Sequence, residues 1–140
     1  MIGYNVLGQL GQLGNQMFQL ASLRGIASNN GYNYCFPING NVTTDSLGNK
    51  LRIDIQNPFT LEGVHPLNVQ FIDQDKPTVQ EGTFHFNEKL FNDCPDWVSL
   101  FGYFQSEKYF IHIEDTIHSM FTFKPEILNP CNEMISMVEN

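Results

Sequence analysis

Three glycines stand at every third position between an apolar segment and a helical pattern near the start of the chain. Gly8, Gly11 and Gly14 follow the apolar segment 2–7. A strand that leads through a glycine-rich turn into a helix directs backbone N–H groups and the positive end of the helix dipole toward one point. Because glycine has no side chain, a ligand can approach that backbone closely. The turn is therefore either a candidate site for a phosphate or carboxylate or a tight turn without a ligand.

One interpretation of the turn is a dinucleotide site, since its Gly-x-x-Gly-x-x-Gly spacing resembles the loop of extended short-chain dehydrogenases. In such a site the second strand ends in an Asp or Glu that binds the ribose. Here Pro37, Ile38 and Asn39 follow the second apolar segment, and Asp45 comes too late. No tyrosine has a lysine four residues after it, so the dehydrogenase's Tyr-x-x-x-Lys pair is also absent. Both observations disfavour an NAD-dependent dehydrogenase.

Polar side chains at the starts of two predicted helices could hydrogen-bond the hydroxyl groups of a ligand, or they could cap those helices. They are Asn15, Gln16, Gln105, Ser106 and Glu107. His85 and Glu88 could act on an acceptor hydroxyl as general base and partner. The alternative for these two residues is a solvated loop after a strand.

Two longer segments carry a resemblance to a known enzyme family. Segment 11–21, Gly-Gln-Leu-Gly-Asn-Gln-Met-Phe-Gln-Leu-Ala, resembles the N-terminal signature of glycosyltransferase family 11, the galactoside α-1,2-fucosyltransferases. Segment 102–110, Gly-Tyr-Phe-Gln-Ser-Glu-Lys-Tyr-Phe, resembles a second characteristic segment of that family. The two segments occur in the family's order and at about its separation. Gln12 and Leu20 differ from the residues usual in the family, but the Leu-Gly-Asn-Gln core is kept.

The resemblance implies transfer of L-fucose from GDP-fucose to a hydroxyl of a galactose-containing glycan, with inversion and without an obligatory metal or cofactor. In that scheme the first domain chiefly supports the acceptor, and the glycine loop reaches toward the donor. The residues implied in binding substrate or donor are Gly11, Leu13, Gly14, Asn15, Gln16, Gln105, Ser106 and Glu107. A sugar- or nucleotide-binding module that catalyses nothing is the alternative function.

The family's donor signature, His-x-Arg-Arg-x-Asp, has no counterpart in this chain, whose only arginines are Arg24 and Arg52. Departure of GDP develops negative charge that a cation should stabilise. We therefore expect residues 1–140 to form one N-terminal, acceptor-side domain. The GDP-fucose-binding domain is expected outside this chain, and the chain by itself is expected to be inactive.

The charge balance and the apolar runs restrict partners and location. Seven Lys and Arg against fifteen Asp and Glu give a formal net charge of −8, and no basic run occurs. This argues against nucleic acid and against an anionic membrane surface as partners. No apolar run approaches the roughly 18 residues of a membrane span, and no signal peptide is recognisable. The predicted location is cytoplasmic, or peripheral to a membrane.

Cys35, Cys94 and Cys131 lack metal-site spacing and are predicted to be reduced and mostly buried.

The elements that must position these residues follow a β-α-β order, which is typical of a parallel α/β sheet. Segments 2–7, 32–36 and 98–104 are predicted strands, and 15–29 is a helix that ends at Gly31. Later predictions are a short strand at 83–86, a helix opened by Ser106 that continues to Phe121, and a last helix from Pro125. The predicted fold is α/β, a Rossmann-like three-layer domain with a mainly parallel sheet. By resemblance it is the N-terminal half of a GT-B glycosyltransferase.

Overall fold

A computed structural model describes residues 1–38, 47 and 54–139. The four strands found among these residues form one sheet in the order β2-β1-β4-β3, and their pairs are parallel. The strands are β1 (Ile2–Gly3), β2 (Tyr34–Cys35), β3 (Thr78–Gln80) and β4 (Ser99–Phe101). The α-helices of the described residues are α1 (Leu13–Asn30), α2 (Glu88–Asn92), α3 (Glu114–Met120) and α4 (Pro125–Glu139). Short 3₁₀ turns cover Pro66–Asn68, Glu107–Tyr109 and Ile111–Ile113.

The predicted β-α-β unit is confirmed, and its strands share one sheet with the predicted third segment. Gly3 of β1 pairs with Cys35 on one side and with Ser99 on the other. Between β1 and β2, α1 ends at Gly31, whose φ of 72° is the left-handed cap that the sequence predicts. The strands are shorter than the predicted apolar segments, since only two or three residues of each segment pair regularly.

The main core lies between α1 and one face of the sheet. Ile2 and Leu100 from the strands and Leu23 from α1 are fully buried in one cluster. On the other face of the sheet, Ile72 and Cys35 occupy the space beside Gly3. Helices α2 and α3 add their buried apolar residues to the α1 cluster. The described helices that contribute to the core thus join one cluster, and the α/β class is confirmed. The three-layer, Rossmann-like arrangement stays a prediction.

A glycine inside α1 allows the chain that follows β4 to pack directly on the helix. A β-carbon added at Gly25 would come within 2.8 Å of the Phe110 α-carbon and would overlap the Tyr109 carbonyl. The His112 ring also lies against this point, with its Nε2 3.0 Å from the Gly25 carbonyl oxygen. This close approach fixes the segment after β4 against the middle of α1.

Two predicted elements are wrong. Segment 83–86 is not a strand, since residues 83–85 form a bend, and the strand of this region is β3, a few residues earlier. The helix predicted from Ser106 to Phe121 is broken into two 3₁₀ turns and α3. Phe110 separates the two turns because its φ of −139° is not helical. The apolar spacing was helical, but the packing of this segment on α1 and on the loop after β3 bends the backbone.

The last helix behaves differently from the other three. Pro125 opens α4 as predicted, and Pro130 lies inside it. None of the described residues of α4 is buried. Within the described part of the chain, no helix combines the length and the apolar character needed to cross a membrane.

Candidate functional site

The two segments that carry the family resemblance meet at one edge of the sheet. The Gln105 side-chain amide donates a hydrogen bond of 2.7 Å to Oδ1 of Asn15, across 90 residues of sequence. Asn15 lies in the first turn of α1, which follows β1, and Gln105 follows β4. Since β1 and β4 are parallel neighbours, both residues lie beyond the carboxyl ends of adjacent strands. The sequence does not show this contact.

Gly11 makes room for Asn15. A β-carbon added at Gly11 would lie 2.8 Å from the Asn15 β-carbon, and Gly11 has a φ of 79°. The N-cap residue of α1 is Gln12, which makes no side-chain capping bond. The side-chain oxygen Oδ1 of Asn15 therefore does not act as a local helix cap, since its observed partner is the Gln105 amide.

The neighbouring motif residues have different surroundings. Gln16 is 1% exposed, and its side-chain oxygen accepts a bond of 3.0 Å from the backbone N–H of Ile55. This amide holds segment 54–56 against α1, so its position favours a structural role over ligand binding. Leu13 packs against the core. Gly14 is exposed, and a side chain there would meet nothing within 4 Å.

Ser106 and Glu107 begin the first 3₁₀ turn after β4. The Ser106 hydroxyl accepts a bond of 3.3 Å from the Lys108 N–H and is thus the cap that the sequence predicts. Glu107 is exposed in the first turn, where its charge favours the helix N-terminus. Capping accounts for Ser106, while the Glu107 carboxylate faces solvent beside Gln105.

His85 and Glu88 are not joined. His85 is exposed, and its backbone N–H bonds to the Thr83 hydroxyl at 3.3 Å. Glu88 is the exposed first residue of α2. Between these two described residues there is neither a hydrogen bond nor an ion pair. The structure places both on the chain that follows β3 but does not assemble the proposed base and partner.

A buried carboxylate that sequence reasoning missed stands behind the second motif. Glu81 directly follows β3 and is 5% exposed. Its Oε1 accepts a bond of 3.1 Å from the Phe104 N–H, and its Oε2 accepts a bond of 2.7 Å from the Tyr109 hydroxyl. Burying a carboxylate costs free energy unless such donors satisfy it. No feature of the sequence separates Glu81 from the other acidic residues, because its donors come from more than 20 residues away.

Two buried tyrosines hold the same turn. Tyr109 accepts a bond of 2.8 Å from the Asn87 N–H while it donates to Glu81. The Tyr4 hydroxyl donates to the Gly102 carbonyl. Burial raises the pKa of both phenols above the ordinary range, and the Glu81 carboxylate raises each pKa further. Both tyrosines therefore stay neutral donors at physiological pH, and the turn after β4 is held from two sides.

Neither thiol of the described core is suited to nucleophilic chemistry. Cys35 and Cys94 are buried and free, as predicted, whereas Cys131 on α4 is exposed. Burial and then the Asp96 carboxylate raise the pKa of Cys94 to about 11. Burial also raises the pKa of Cys35. Because the thiolate is the nucleophile, both residues are inert near neutral pH.

The described residues contain no cluster of three or more His, Cys, Asp or Glu side chains that could hold a metal ion. Compared with family models, with curated proteins and with solved structures, the chain matches none.

Proposed function

We propose that this chain is the acceptor-side half of an inverting fucosyltransferase with GT-B architecture. Such an enzyme transfers L-fucose from GDP-fucose to a hydroxyl of a galactose-containing glycan. The observation that carries the proposal is the hydrogen bond between Asn15 and Gln105. It joins the two segments that resemble glycosyltransferase family 11, although the resemblance itself says nothing about where the segments lie.

The position of this pair supports a ligand site. In open parallel sheets, ligands bind beyond the carboxyl ends of the strands, where neighbouring strands connect in opposite directions. From β1 the chain passes to β2 on one side, while β4 lies on the other side of β1. The N-terminus of α1 lies at that point, and the positive end of a helix dipole suits an anionic or hydroxyl oxygen.

The donor's diphosphate requires cations, and two of the described cations already make aromatic contacts. The Arg24 guanidinium stacks 5.0 Å from the centre of the Tyr34 ring and also contacts Met120. The Lys108 ammonium lies 5.8 Å from the centre of the Phe86 ring. Because these two charges are used in packing, the proposal assigns the diphosphate clamp to a second domain. The acceptor hydroxyl must also lose a proton, and His85 is the candidate base, without Glu88 as its partner.

The test is a transfer assay with GDP-fucose and lactose on the full product of the native gene. Asn15→Ala should lower turnover by about 100-fold, the scale for one oriented polar group at a charged transition state. The matched control is Asn57→Ala, which removes an exposed asparagine outside the two motif segments and should leave turnover unchanged. Circular dichroism gives the folded fraction of each variant.

Each outcome bears on a different part of the proposal. If turnover of Asn15→Ala follows the folded fraction alone, Asn15 is only structural. If the 140-residue chain transfers fucose by itself, the division into two half-sites is wrong. If the full gene product transfers none, the transferase proposal fails, and the second candidate, a sugar-binding module without catalysis, gains weight. An exposed aromatic cleft at the end of β3 favours that second candidate.

A further inference from the structure

Two aromatic rings stack at the surface beyond the ends of β3 and β4. The ring centres of Phe84 and Tyr103 are 6.4 Å apart, and the ring planes are inclined by 24°. Phe84 is 75% exposed, so the ring face that points away from Tyr103 is open to solvent. The pair borders a cleft of about 200 Å³ between segments 80–84 and 101–103. An exposed phenylalanine held in this way contributes little to the core and is available to a ligand.

Buried hydrogen bonds fix the walls of the cleft. Glu81 belongs to the wall formed by segment 80–84, and its carboxylate accepts a bond from the N–H of Phe104, the residue directly after the opposite wall. Its own N–H bonds to the Phe101 carbonyl at 3.1 Å, and Tyr4 holds the Gly102 carbonyl. Both walls are therefore tied to the sheet before any ligand arrives. Such preorganisation reduces the entropy that a ligand must offset on binding.

The chemistry of the cleft favours a neutral sugar. An aromatic face carries partial negative charge and attracts the polarised C–H groups of a pyranose ring. Gln80 and Thr83 line the cleft and offer an amide and a hydroxyl for the sugar's hydroxyl groups. Neither Lys nor Arg is among the lining residues, and the whole chain has a net charge of −8. An anionic ligand such as a nucleotide would find no counter-charge here.

We infer that this cleft is a pyranose-binding subsite in which the open face of Phe84 stacks on the sugar ring. Tyr103 precedes Gln105 by two residues, so the cleft lies within about 7 Å of chain from the Asn15–Gln105 pair. A sugar on Phe84 could thus present a hydroxyl toward that pair. Its assignment as the acceptor subsite rests on the proposed function, whereas the binding of a pyranose by the cleft does not.

The test is an NMR titration of the 140-residue chain with lactose, with guanosine monophosphate as a second probe. Lactose should shift the backbone amides of Gly82, Phe84, Gly102 and Tyr103 with one saturable constant. Phe84→Ala should weaken lactose binding by about tenfold or more, because it removes the stacking face. Phe84→Tyr, which keeps that face, should bind within about threefold of the natural chain.

Phe71→Ala is the matched control, since Phe71 is also exposed but borders a different cleft. Its lactose constant should not change. The inference is overturned if lactose gives no saturable shift at these amides. It is equally overturned if Phe84→Ala binds as tightly as the natural chain, or if guanosine monophosphate binds there in preference to lactose. Since Phe84 is exposed, its variants should fold, which their amide spectra check directly.

The failures of the two proposals are distinguishable. Lactose binding at Phe84, together with a native gene product that transfers no fucose, would leave the sugar subsite standing without the transferase. Fucose transfer with a Michaelis constant for lactose that Phe84→Ala does not change would leave the transferase standing and would remove the assignment of the cleft as its acceptor subsite.

Discussion

Helices α1 and α4 are similar in length, yet their surroundings are opposite. α1 spans 18 residues and buries nine of them, and three of the buried residues are polar. α4 spans 15 residues and buries none, although its apolar side chains repeat at helical spacing. Ile135 and Met137 of α4 are 53% and 79% exposed. The comparison shows that an apolar pattern makes burial favourable, but that only a packing partner brings burial about.

The buried polar residues of α1 explain why this helix organises the site. Gln16 bonds to Ile55, Gln19 donates to the Leu10 carbonyl at 3.1 Å, and Ser22 donates to the Phe104 carbonyl at 3.0 Å. Each bond ties α1 to a segment that borders the glycine turn or the turn after β4. α4 makes no comparable side-chain bond within the described residues.

The largest expected effect tests the comparison directly. Leu23→Ala should lower the free energy of unfolding by about 2–5 kcal/mol, since Leu23 is fully buried and its loss leaves a cavity. Ile135→Ala removes a similar side chain from α4 and should cost less than about 0.5 kcal/mol. Urea denaturation of both variants measures the difference. Equal losses would show that α4 is packed in solution and would remove the contrast.

A second prediction concerns the close approach at the middle of α1. Gly25→Ala should lower the free energy of unfolding by about 2–3 kcal/mol, because the methyl group overlaps the backbone at Tyr109 and Phe110. Gly14→Ala, in the same helix but with open space around it, should be neutral or stabilise by up to about 1 kcal/mol. If thermal melts rank the two variants in the reverse order, segment 109–110 does not pack closely on Gly25 in solution.

A third prediction uses pH. The pKa values of Tyr4 and Tyr109 are raised in the folded chain above the ordinary value of about 10. Their stabilising contribution is fully present below pH 10 and is lost as pH rises toward the folded values. The free energy of unfolding should then fall by roughly 1 kcal/mol per pH unit for each phenol. Tyr109→Phe should make the free energy of unfolding fall less steeply with pH. Ile135→Ala on the exposed α4 should leave the slope unchanged. An unchanged decline would exclude Tyr109 as its source.

The smallest expected effect is at the exposed end of α1. A double-mutant cycle of Asn15→Ala and Gln105→Ala should give a coupling free energy of about 0.5–1 kcal/mol, the net value of one neutral hydrogen bond. Guanidinium denaturation of the four proteins provides the cycle. A coupling of zero would mean that the two motif segments do not share this bond in solution.

Several features of the fold follow from local physics and were predictable. The order β1-α1-β2, the left-handed Gly31 and the first-turn Pro125 depend on hydrophobic spacing and backbone geometry that neighbouring residues determine. The Ser106 cap is likewise local. The position of strand β3 and the break at Phe110 were not predicted, because pairing with β4 and packing on α1 decide them.

The candidate site likewise has features that the sequence predicts and features that only the fold determines. The sequence by itself determined which residue types stand in the glycine turn and in segment 102–110, since motif spacing is a local property. Only the tertiary structure decided that Asn15 contacts Gln105, that Gln16 faces inward, and that Glu81 lies buried behind the second motif. These contacts join residues that are tens of positions apart along the chain. The parallel strands bring their carboxyl ends together at one edge, and no local pattern encodes which side chains meet there.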